Sequence, residues 1–352
     1  MIYTDTQLSL FREEFWNYIE QGDTIVITAH ISPDDDSIGS VLATYTILTA
    51  KYPQKNISII YTAEKLEKYT IFHNFDKIVF VSDISEHLAG VDTLITLDVC
   101  GFARVSKNPE VLRSVPVRLC IDHHGSMPDD FTCGLIVPAY SSNSELVYTA
   151  LEGEKYLDKN LAEIVMLGIL GDTGNLTHID AGQTQVFSIV KKLVEVGDIR
   201  IDSFLSRYRT IPKNIVPLLQ EFVKNTTYAN IENWPSLQYS FVNRDFMEKN
   251  NFSDEDMSAA SHIYMGQYLP RIENQQWGFV FSPRNDGGVR MSSRSLSGSV
   301  NVRVFSEALG IGGGHDRASG ANFKPENDEK IQVAPCIEKV LEFMKTTTPT
   351  IG

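Results

Sequence analysis

Four short segments of the chain carry carboxylates and imidazoles of the kinds that bind divalent cations. They are H-I-S-P-D-D-D at 30–36, L-D-V at 97–99, D-H-H at 122–124 and G-D-T-G at 171–174. Three of the four follow or end apolar runs that are typical of buried strands. Two cations about 4 Å apart stabilise phosphoryl oxygens and produce hydroxide at neutral pH. The pattern therefore predicts the hydrolysis of a phosphate ester.

The charges and the ligand types agree with two metal ions. Asp34, Asp36, Asp98 and Asp172 supply four negative charges, which two divalent cations would balance. Without metal, converging carboxylates repel one another and raise one another's pKa. Mixed imidazole and carboxylate ligands suit Mn²⁺, Fe²⁺, Co²⁺ or Zn²⁺ better than Ca²⁺. An EF-hand loop starting at Asp34 is excluded, because Tyr45 occupies the position that needs a glutamate.

Each segment taken alone has a simpler explanation. The run around Asp34 and Asp36 could be a solvated loop, and Asp98 could cap a turn. His123 and His124 could be core histidines with satisfied partners. The joint occurrence of all four segments in this order, at the ends of expected strands, favours the metal site.

Bulk composition limits the class of protein. The 352 residues are 42% hydrophobic and 22% charged, as in soluble globular proteins, and suggest two domains. No apolar run is long enough to span a bilayer, and the N-terminus does not resemble a secretory signal. The four cysteines form no C-x-x-C pair, which favours reduced thiols and a cytoplasmic location without membrane association. A net charge of −14 disfavours binding to long duplex nucleic acid.

The apolar runs alternate with helical patterns and predict an α/β fold. The expected strands of the first part are 24–30, 57–63, 77–82, 93–99 and 117–124. They predict a mostly parallel sheet with helices on both faces. Asp36 or Ser37 is placed to cap the helix expected over 37–52.

The domain organisation follows from a change of pattern along the chain. We expect a catalytic metal-binding domain over 1–187, a helical connector over 188–232 and a smaller α/β substrate-binding domain over 233–352. In the last of these, Asn285-Asp286-Gly287-Gly288 predicts a hairpin turn. Helices are expected around 253–266, 299–309 and 334–345.

Taken together, the motifs resemble those of a known family. H-x-x-P-D-x-D-x-x-G-S from His30, the strand-end Asp98, D-H-H and G-D-T-G look like the four motifs of the DHH phosphoesterases. M-S-S-R-S (291–295), N-V (301–302), G-G-G-H (312–315) and A-S-G (318–320) are similar to the DHH-associated domain of RecJ-type nucleases and the nanoRNase/pAp-phosphatase branch. The resemblance covers nearly the whole chain. Asp35 departs from it, where that branch usually has Gly, as does Leu176, where an aromatic residue often follows D-T-G.

The resemblance implies a role for each motif residue. His30 and Asp34 would bind one metal ion, and Asp98 would bridge it to a second ion. The ligands of the second ion would be Asp36, His123 and Asp172. Asp122 would orient a ligand histidine, and His124 would contact the substrate phosphate or the leaving oxygen. Asp98, Asp122 and His124 are thus the predicted catalytic residues.

A second group of residues is predicted to bind substrate. Gly312, Gly313 and Gly314 can present N–H groups to an anion in a concave nest, although a flexible turn is the simpler explanation. Arg294 and His315 supply donors for a phosphate, and the resemblance places both at the nucleotide-binding face.

Other residues near Arg294 have two explanations each. Ser295 is included with Arg294, while Arg290 either assists it from the same strand face or is a solvated edge charge. Tyr264, Tyr268 and Trp277 would stack on a base or, more commonly at such spacing, pack in the core.

The resulting hypothesis is a two-domain phosphoesterase with its active site in the cleft between domains. It would use two Mn²⁺ ions, with Co²⁺, Fe²⁺, Mg²⁺ or Zn²⁺ as substitutes. Its substrates would be short oligonucleotides (nanoRNA, pApA) and the nucleoside bisphosphate pAp, and a homodimer is compatible with the sequence. The alternatives are an inorganic pyrophosphatase or exopolyphosphatase, a non-catalytic metal-dependent nucleotide-binding regulator, and a purely structural protein.

Overall fold

The chain divides into two compact units, 1–210 and 211–352. The structure, a computed structural model, describes residues 5–124, 131–325 and 329–352. The division lies inside the connector expected over 188–232, and the expected domain boundaries stay a prediction. No helix in the described ranges is both long and apolar enough to cross a membrane.

The first unit is built on one sheet of six parallel strands in the described residues. These strands are β1 (Thr24–Ala29), β2 (Asn56–Thr62), β3 (Ile78–Val81), β4 (Thr93–Leu97), β5 (Val117–Asp122) and β6 (Cys133–Ile136). Their order is β3-β2-β1-β4-β5-β6, so the strand order reverses between β1 and β4. In such doubly wound sheets, ligands bind at the carboxyl ends of the strands on either side of that switch point.

Helices cover the first sheet on both faces, which confirms the predicted fold class. They are α1 (Asp5–Gln21), α2 (Asp35–Lys51), α3 (Pro109–Arg113), α4 (Asn143–Ala150), α5 (Lys159–Asp172), α6 (Val186–Gly197) and α7 (Ile201–Tyr208). Ile25, Ile27 and Ala29 of β1 join the core under the longer helices. Val26 faces the other way, into a smaller core with α3 and single-turn helices. Both strand faces are therefore apolar, as expected for a buried parallel strand.

The second unit contains a six-stranded mixed sheet. Its described elements are α8 (Val216–Lys224), β7 (Thr227–Ala229), β8 (Leu237–Phe241), α9 (Arg244–Lys249), α10 (Asp254–Gln267), β9 (Trp277–Pro283), β10 (Val289–Ser295), α11 (Val302–Ala308), β11 (Gly312–His315), β12 (Ala318–Phe323) and α12 (Val333–Lys345). The order is β11-β12-β10-β9-β8-β7, and only β8 and β9 pair in parallel. The smaller α/β unit was predicted, whereas β6, β7, β11 and β12 were not.

The predicted hairpin between β9 and β10 is confirmed. The two strands pair antiparallel, and the Gly287 N–H donates to the Arg284 carbonyl across the turn at 3.1 Å. Gly287 has φ +86°, in the left-handed region that glycine adopts without strain. The buried Arg244 guanidinium donates to four backbone carbonyls, including those of Gly287 and Gly288, and so fixes the turn.

Candidate metal centre

Strand register places three of the motif residues side by side at the carboxyl edge of the first sheet. Ala29 of β1 is level with Leu97 of β4, and Leu97 is level with Ile121 of β5. The next residues along these strands are His30, Asp98 and Asp122. Asp98 has φ +58°, a left-handed conformation that aspartate tolerates better than most residues. The sheet thus brings together residues from segments tens of positions apart.

Asp34 caps α2 and faces His30 with its other carboxylate oxygen. Its Oδ1 accepts the Ser37 N–H at 2.9 Å, while Oδ2 lies 3.5 Å from His30 Nε2. The prediction that Asp36 or Ser37 caps this helix was therefore wrong, because the helix begins at Asp35, two residues earlier than expected. The cap fixes the orientation of the Asp34 side chain.

Asp36 is buried at the first turn of α2 and is held by the start of α4. The backbone N–H groups of Asn143 and Ser144 donate to its two oxygens at 2.5 and 2.8 Å. The N-terminus of a helix stabilises a negative charge. A Cβ at Gly168 of α5 would lie 2.5 Å from Asp36 Oδ1, so a glycine there leaves room for the carboxylate.

His123 makes contact with three of the predicted metal-binding carboxylates. Its Nε2 lies 3.0 Å from Asp172, 3.5 Å from Asp98 and 3.8 Å from Asp36. Its Nδ1 lies 3.2 Å from the carbonyl of Tyr140, to which it donates. A hydrogen bond at Nδ1 orients the ring and leaves Nε2 for a metal ion. The Tyr140 carbonyl was missed by the sequence prediction, since backbone acceptors leave no residue-type signal.

Asp122 orients His124 rather than either of the two predicted ligand histidines. Asp122 Oδ1 accepts both the His124 N–H, at 3.0 Å, and His124 Nδ1–H, at 2.9 Å. His124 Nδ1 also lies 3.3 Å from Asp98. The His124 side chain is 45% exposed, against 5% for His30 and 10% for His123, so it is the histidine most accessible to a substrate.

Among the residues that the structure describes, three overlapping groups of side chains lie close enough to hold metal ions. They are His30–Asp34–Asp98, Asp36–His123–Asp172 and Asp98–His123–His124, and within each group the ligand atoms lie within 4.8 Å of one another. Asp98 Oδ2 lies 3.3 Å from His30, and its Oδ1 lies 3.5 Å from His123. One oxygen of Asp98 therefore faces each of the first two groups. All six predicted metal-binding residues are brought together.

The donor set fits divalent metal ions of the manganese type. Asp98 Oδ1 and His123 Nε2 are buried and make no hydrogen bond of good geometry with any described residue. Buried polar atoms normally have partners. Imidazole nitrogens combined with carboxylate oxygens are ligands that first-row divalent cations accept.

The pKa values show that protons compete with a metal ion for these ligands. Burial lowers the pKa of His30 and His123, but the carboxylates next to each ring outweigh it and raise each pKa to about 9. Burial and the neighbouring carboxylates raise the pKa of Asp36. Hydrogen bonds to Asp122 and Asp98 raise the pKa of His124 to about 10. In the absence of metal the cluster therefore retains protons that a cation would displace.

The predicted substrate-binding arginines share one face of β10 in the second unit. Burial alternates along this strand, so Arg290, Ser292 and Arg294 lie on one face, here called the β10 face. Ser295 is buried on the opposite face, because side chains of a strand alternate, and its predicted role in substrate binding stays a prediction. Arg294 Nη1 donates to the Ser293 carbonyl, and neither arginine forms an ion pair with a carboxylate in the described ranges.

The glycine run forms a strand and not a nest or a flexible turn. Gly312, Gly313 and Gly314 lie in β11, the edge strand that pairs antiparallel with β12. Successive N–H groups of a strand point in opposite directions, so these three do not converge on one anion. Gly313 lies level with Gly320 of β12, and a Cβ at Gly313 would meet nothing within 4 Å.

Small residues flank Arg294 on both neighbouring strands. Arg294 is level with Ala318 of β12 and Gly278 of β9. The backbone of His315 pairs with Ala318, and the side chain of His315 lies outside the described part of the structure. The β10 face therefore combines positive charge with little side-chain bulk.

Two of the three aromatic candidates belong to the core. Trp277 is fully buried and stacks on Trp234. Tyr264 is also buried, and its hydroxyl contacts Thr226 at 2.6 Å. Tyr268 is 42% exposed and stacks on Tyr264, so it alone of the three presents a ring to solvent.

The two departures from the family pattern have distinct local structures. The Asp35 carboxylate forms hydrogen bonds with Tyr69, Lys68 and Arg209, none of which is a predicted metal ligand. Leu176 has φ +67° and follows two further left-handed residues, Gly174 and Asn175. The chain thus turns sharply after Asp172.

A doubly wound α/β domain with a shared carboxylate at its switch point defines a candidate dinuclear metal centre. Residues 24–169 match the model of the DHH family, N-terminal domain. The first unit is therefore a DHH-family domain, as its motifs indicated. DHH phosphoesterases depend on metal ions, which agrees with the acidic and imidazole cluster found here.

Full-length relatives give a more particular likeness. The chain is 26% identical over 309 residues to a probable bifunctional oligoribonuclease and PAP phosphatase NrnA of Streptococcus mutans, covering 86% of this chain and 91% of the relative. The bifunctional oligoribonuclease and PAP phosphatase NrnA of Bacillus subtilis is also 26% identical, over 85% of this chain and 89% of its own. A crystal structure of an exopolyphosphatase-related protein from Bacteroides fragilis shares the fold, with a TM-score of 0.81, 21% identity and coverage of 96% and 97%.

Proposed function

We propose that the protein is a Mn²⁺-dependent phosphoesterase that hydrolyses short oligoribonucleotides to mononucleotides and pAp to AMP. The single observation that carries this proposal is Asp98, whose two oxygens face two separate ligand groups. That arrangement suits two cations that share one carboxylate. Relatives named oligoribonuclease and PAP phosphatase support the substrate class.

Two sets of residues in the first unit would each bind one metal ion. His30 and Asp34 would hold one ion, and Asp98 would contact both. The second ion would be held by Asp36, His123 and Asp172. When bound, the two ions supply Lewis-acid stabilisation of phosphoryl oxygens and lower the pKa of water.

His124 is suited to act on the leaving group. Asp122 fixes its ring through Nδ1 and raises its pKa to about 10, so the imidazole is protonated at neutral pH. A protonated imidazole can contact the substrate phosphate or donate a proton to the leaving oxygen. Asp122 is thus a positioning residue for His124.

The β10 face would bind a second phosphate or the terminal nucleotide. Arg294 and Arg290 carry positive charge without a carboxylate partner in the described ranges, and burial lowers the pKa of Arg294, with a further contribution from Arg290. An arginine without a carboxylate partner is free to form a charge-assisted hydrogen bond with a phosphate. Gly313 and His315 of β11 would line the same site. A location for catalysis between the two units stays a prediction.

The acidic composition limits the substrate to short molecules. A net charge of −14 disfavours binding to long duplexes, which requires a broad basic surface. Local cations on the β10 face and metal ions in the first unit would be sufficient for a dinucleotide or a bisphosphate. We also propose that the protein is cytoplasmic and forms a homodimer.

A substrate panel with and without Mn²⁺ tests this function. We expect hydrolysis of pApA, a five-nucleotide RNA and pAp in Mn²⁺, and none in excess chelator. Preferential hydrolysis of pyrophosphate or polyphosphate would instead favour the phosphatase alternative suggested by the Bacteroides fragilis relative. A cyclic dinucleotide belongs in the panel, because a Bacillus subtilis cyclic-di-AMP phosphodiesterase is 23% identical, although the match covers only 44% of that protein.

Binding without turnover would support a different class of function. A nucleotide-binding regulator would bind pApA in Mn²⁺ without releasing any product. A structural protein would keep its cellular role when both Asp98 and His123 are replaced by alanine. The overlapping ligand groups favour the enzyme over both alternatives.

A further inference from the structure

Asp35 lies between two predicted metal ligands but contacts other residues. Its Oδ1 accepts the Tyr69 hydroxyl at 2.7 Å and Lys68 Nζ at 3.0 Å. Its Oδ2 accepts Arg209 Nη2 at 2.7 Å. The Asp35 side chain is only 12% exposed, so these contacts are shielded from water more than those of an ordinary surface ion pair.

Arg209 joins Asp35 to the segment that carries Asp172. Its Nη1 donates to Asn175 Oδ1 at 2.7 Å, and its Nη2 lies 3.4 Å from the Leu170 carbonyl. Leu170 and Asn175 stand on either side of Asp172 in the sequence. The planar guanidinium thus spans two segments that each supply ligands, a geometry that lysine does not reproduce.

The same two segments also touch directly. A Cβ added at Gly171 would lie 2.5 Å from Asp35 Cβ. Only a glycine permits so close an approach, and the residue that follows it is Asp172. The backbone that carries Asp172 is therefore packed directly against the backbone that carries Asp36.

We propose that Asp35 and Arg209 are positioning residues that set the spacing between the metal ligands Asp36 and Asp172. This inference rests on the proposed metal centre. Neither residue touches an ion or the substrate. Their effect is to hold the first turn of α2 against the end of α5. Arg209 directly precedes Thr210, the last residue of the first unit.

Mn²⁺ titration of the full chain by calorimetry, together with steady-state kinetics on pAp, tests the proposal. The variants are Asp35→Asn and Arg209→Gln. Residues that orient metal ligands typically change metal affinity 10- to 100-fold. We expect about a tenfold loss of affinity at the lower end of that range, with a matching fall in kcat. The double variant should lose less affinity than the product of the two single losses, because both changes remove the shared contact between Asp35 and Arg209.

Arg207, in the last turn of α7 and two residues before Arg209, supplies a matched control. It forms a bidentate ion pair with Glu163 of α5, at 2.8 and 3.1 Å, and Glu163 is not a predicted metal ligand. Arg207→Gln removes an ion pair between α7 and α5 and should leave Mn²⁺ affinity unchanged. Arg209→Lys keeps the positive charge but removes the planar guanidinium that contacts both segments. It provides the test if Arg209→Gln does not fold, and the Mn²⁺ affinity of this variant should also fall.

The outcomes separate this inference from the proposed function. Unchanged Mn²⁺ affinity in folded Asp35→Asn and Arg209→Lys would overturn the positioning role alone. An equal loss of affinity in Arg207→Gln would also overturn it, because any contact between these helices would then suffice. Failure of the unsubstituted protein to bind Mn²⁺ would overturn the proposed function and the inference that rests on it.

Discussion

In the first unit, carboxylates and imidazoles crowd around the carboxyl edge of a parallel sheet, whereas on the β10 face two arginines lie without a carboxylate partner in the described ranges. The first arrangement concentrates negative charge and binds protons or cations. The second leaves positive charge available to an anion. The comparison indicates that separate sets of residues would recognise the metal ions and the substrate phosphate. A substitution could then change metal binding or substrate binding without changing the other.

Removing the shared carboxylate should give the largest effect. Asp98→Ala takes a ligand from both predicted metal sites at once, and the loss of several kcal/mol of charge stabilisation corresponds to a fall in kcat of about 10³-fold. Mn²⁺ titration and pApA hydrolysis measure the two consequences.

Asp83 provides the control for this change. It is also a buried aspartate just after a strand of the same sheet, but its partners are Ser85, Ser106 and Lys107. Asp83→Asn should lower stability and leave Mn²⁺ binding intact. Retention of both metal ions by Asp98→Ala would contradict the shared site.

Removing Arg294 should affect substrate binding and spare the metal ions. A charged hydrogen bond contributes about 1.5–3 kcal/mol, so Arg294→Ala should raise KM for pAp about 10- to 100-fold. Arg303, an exposed arginine of the same unit that pairs with Asp316 and Glu307, serves as the control, and Arg303→Ala should leave KM unchanged. Loss of Mn²⁺ binding in Arg294→Ala would break the proposed separation of roles.

The smallest effect is a dependence of stability on pH in the first unit without metal. His30 and His123 have folded pKa values of about 9, against about 6.5 when unfolded. Their contribution to stability is complete below pH about 6.5 and is lost as the pH rises through about 9. In chelator, Tm should therefore fall between pH 6.5 and pH 8.5, by roughly 2–4 °C for each kcal/mol lost.

Mn²⁺ should reduce this fall, because protons compete less with the metal ion at higher pH. Scanning calorimetry at the two pH values, with chelator and with Mn²⁺, measures the difference. A Tm in chelator that rises with pH would show that the histidines are not held by the carboxylates.

The sequence was informative where residue type and strand register act together. His30, Asp98 and Asp122 end neighbouring parallel strands, and such strands end at one edge, so their convergence was predictable. The cap of α2 was misplaced by two residues, since Asp34, Asp36 and Ser37 are all good capping residues.

The second unit was harder to predict because glycine is compatible with several backbone conformations. Gly312–Gly314 read as a turn or a nest, but pairing with β12 makes them a strand. Ser295 belongs to the same M-S-S-R-S motif as Arg294, but neighbours in a strand face opposite ways, so the motif alone did not show which face each side chain occupies. The contact of Asp35 with Arg209 joins residues 174 positions apart, and nothing in their local sequences indicates it.

The hydrogen bonds from the start of α4 fix the Asp36 carboxylate before any metal ion binds. Both oxygens of that carboxylate already accept backbone N–H groups in the folded chain, and the glycine at 168 leaves room for the carboxylate in this orientation. Its rotamer is thus selected during folding. An arriving cation meets a preorganised ligand, and the entropy of ordering this side chain is not subtracted from the affinity for the ion.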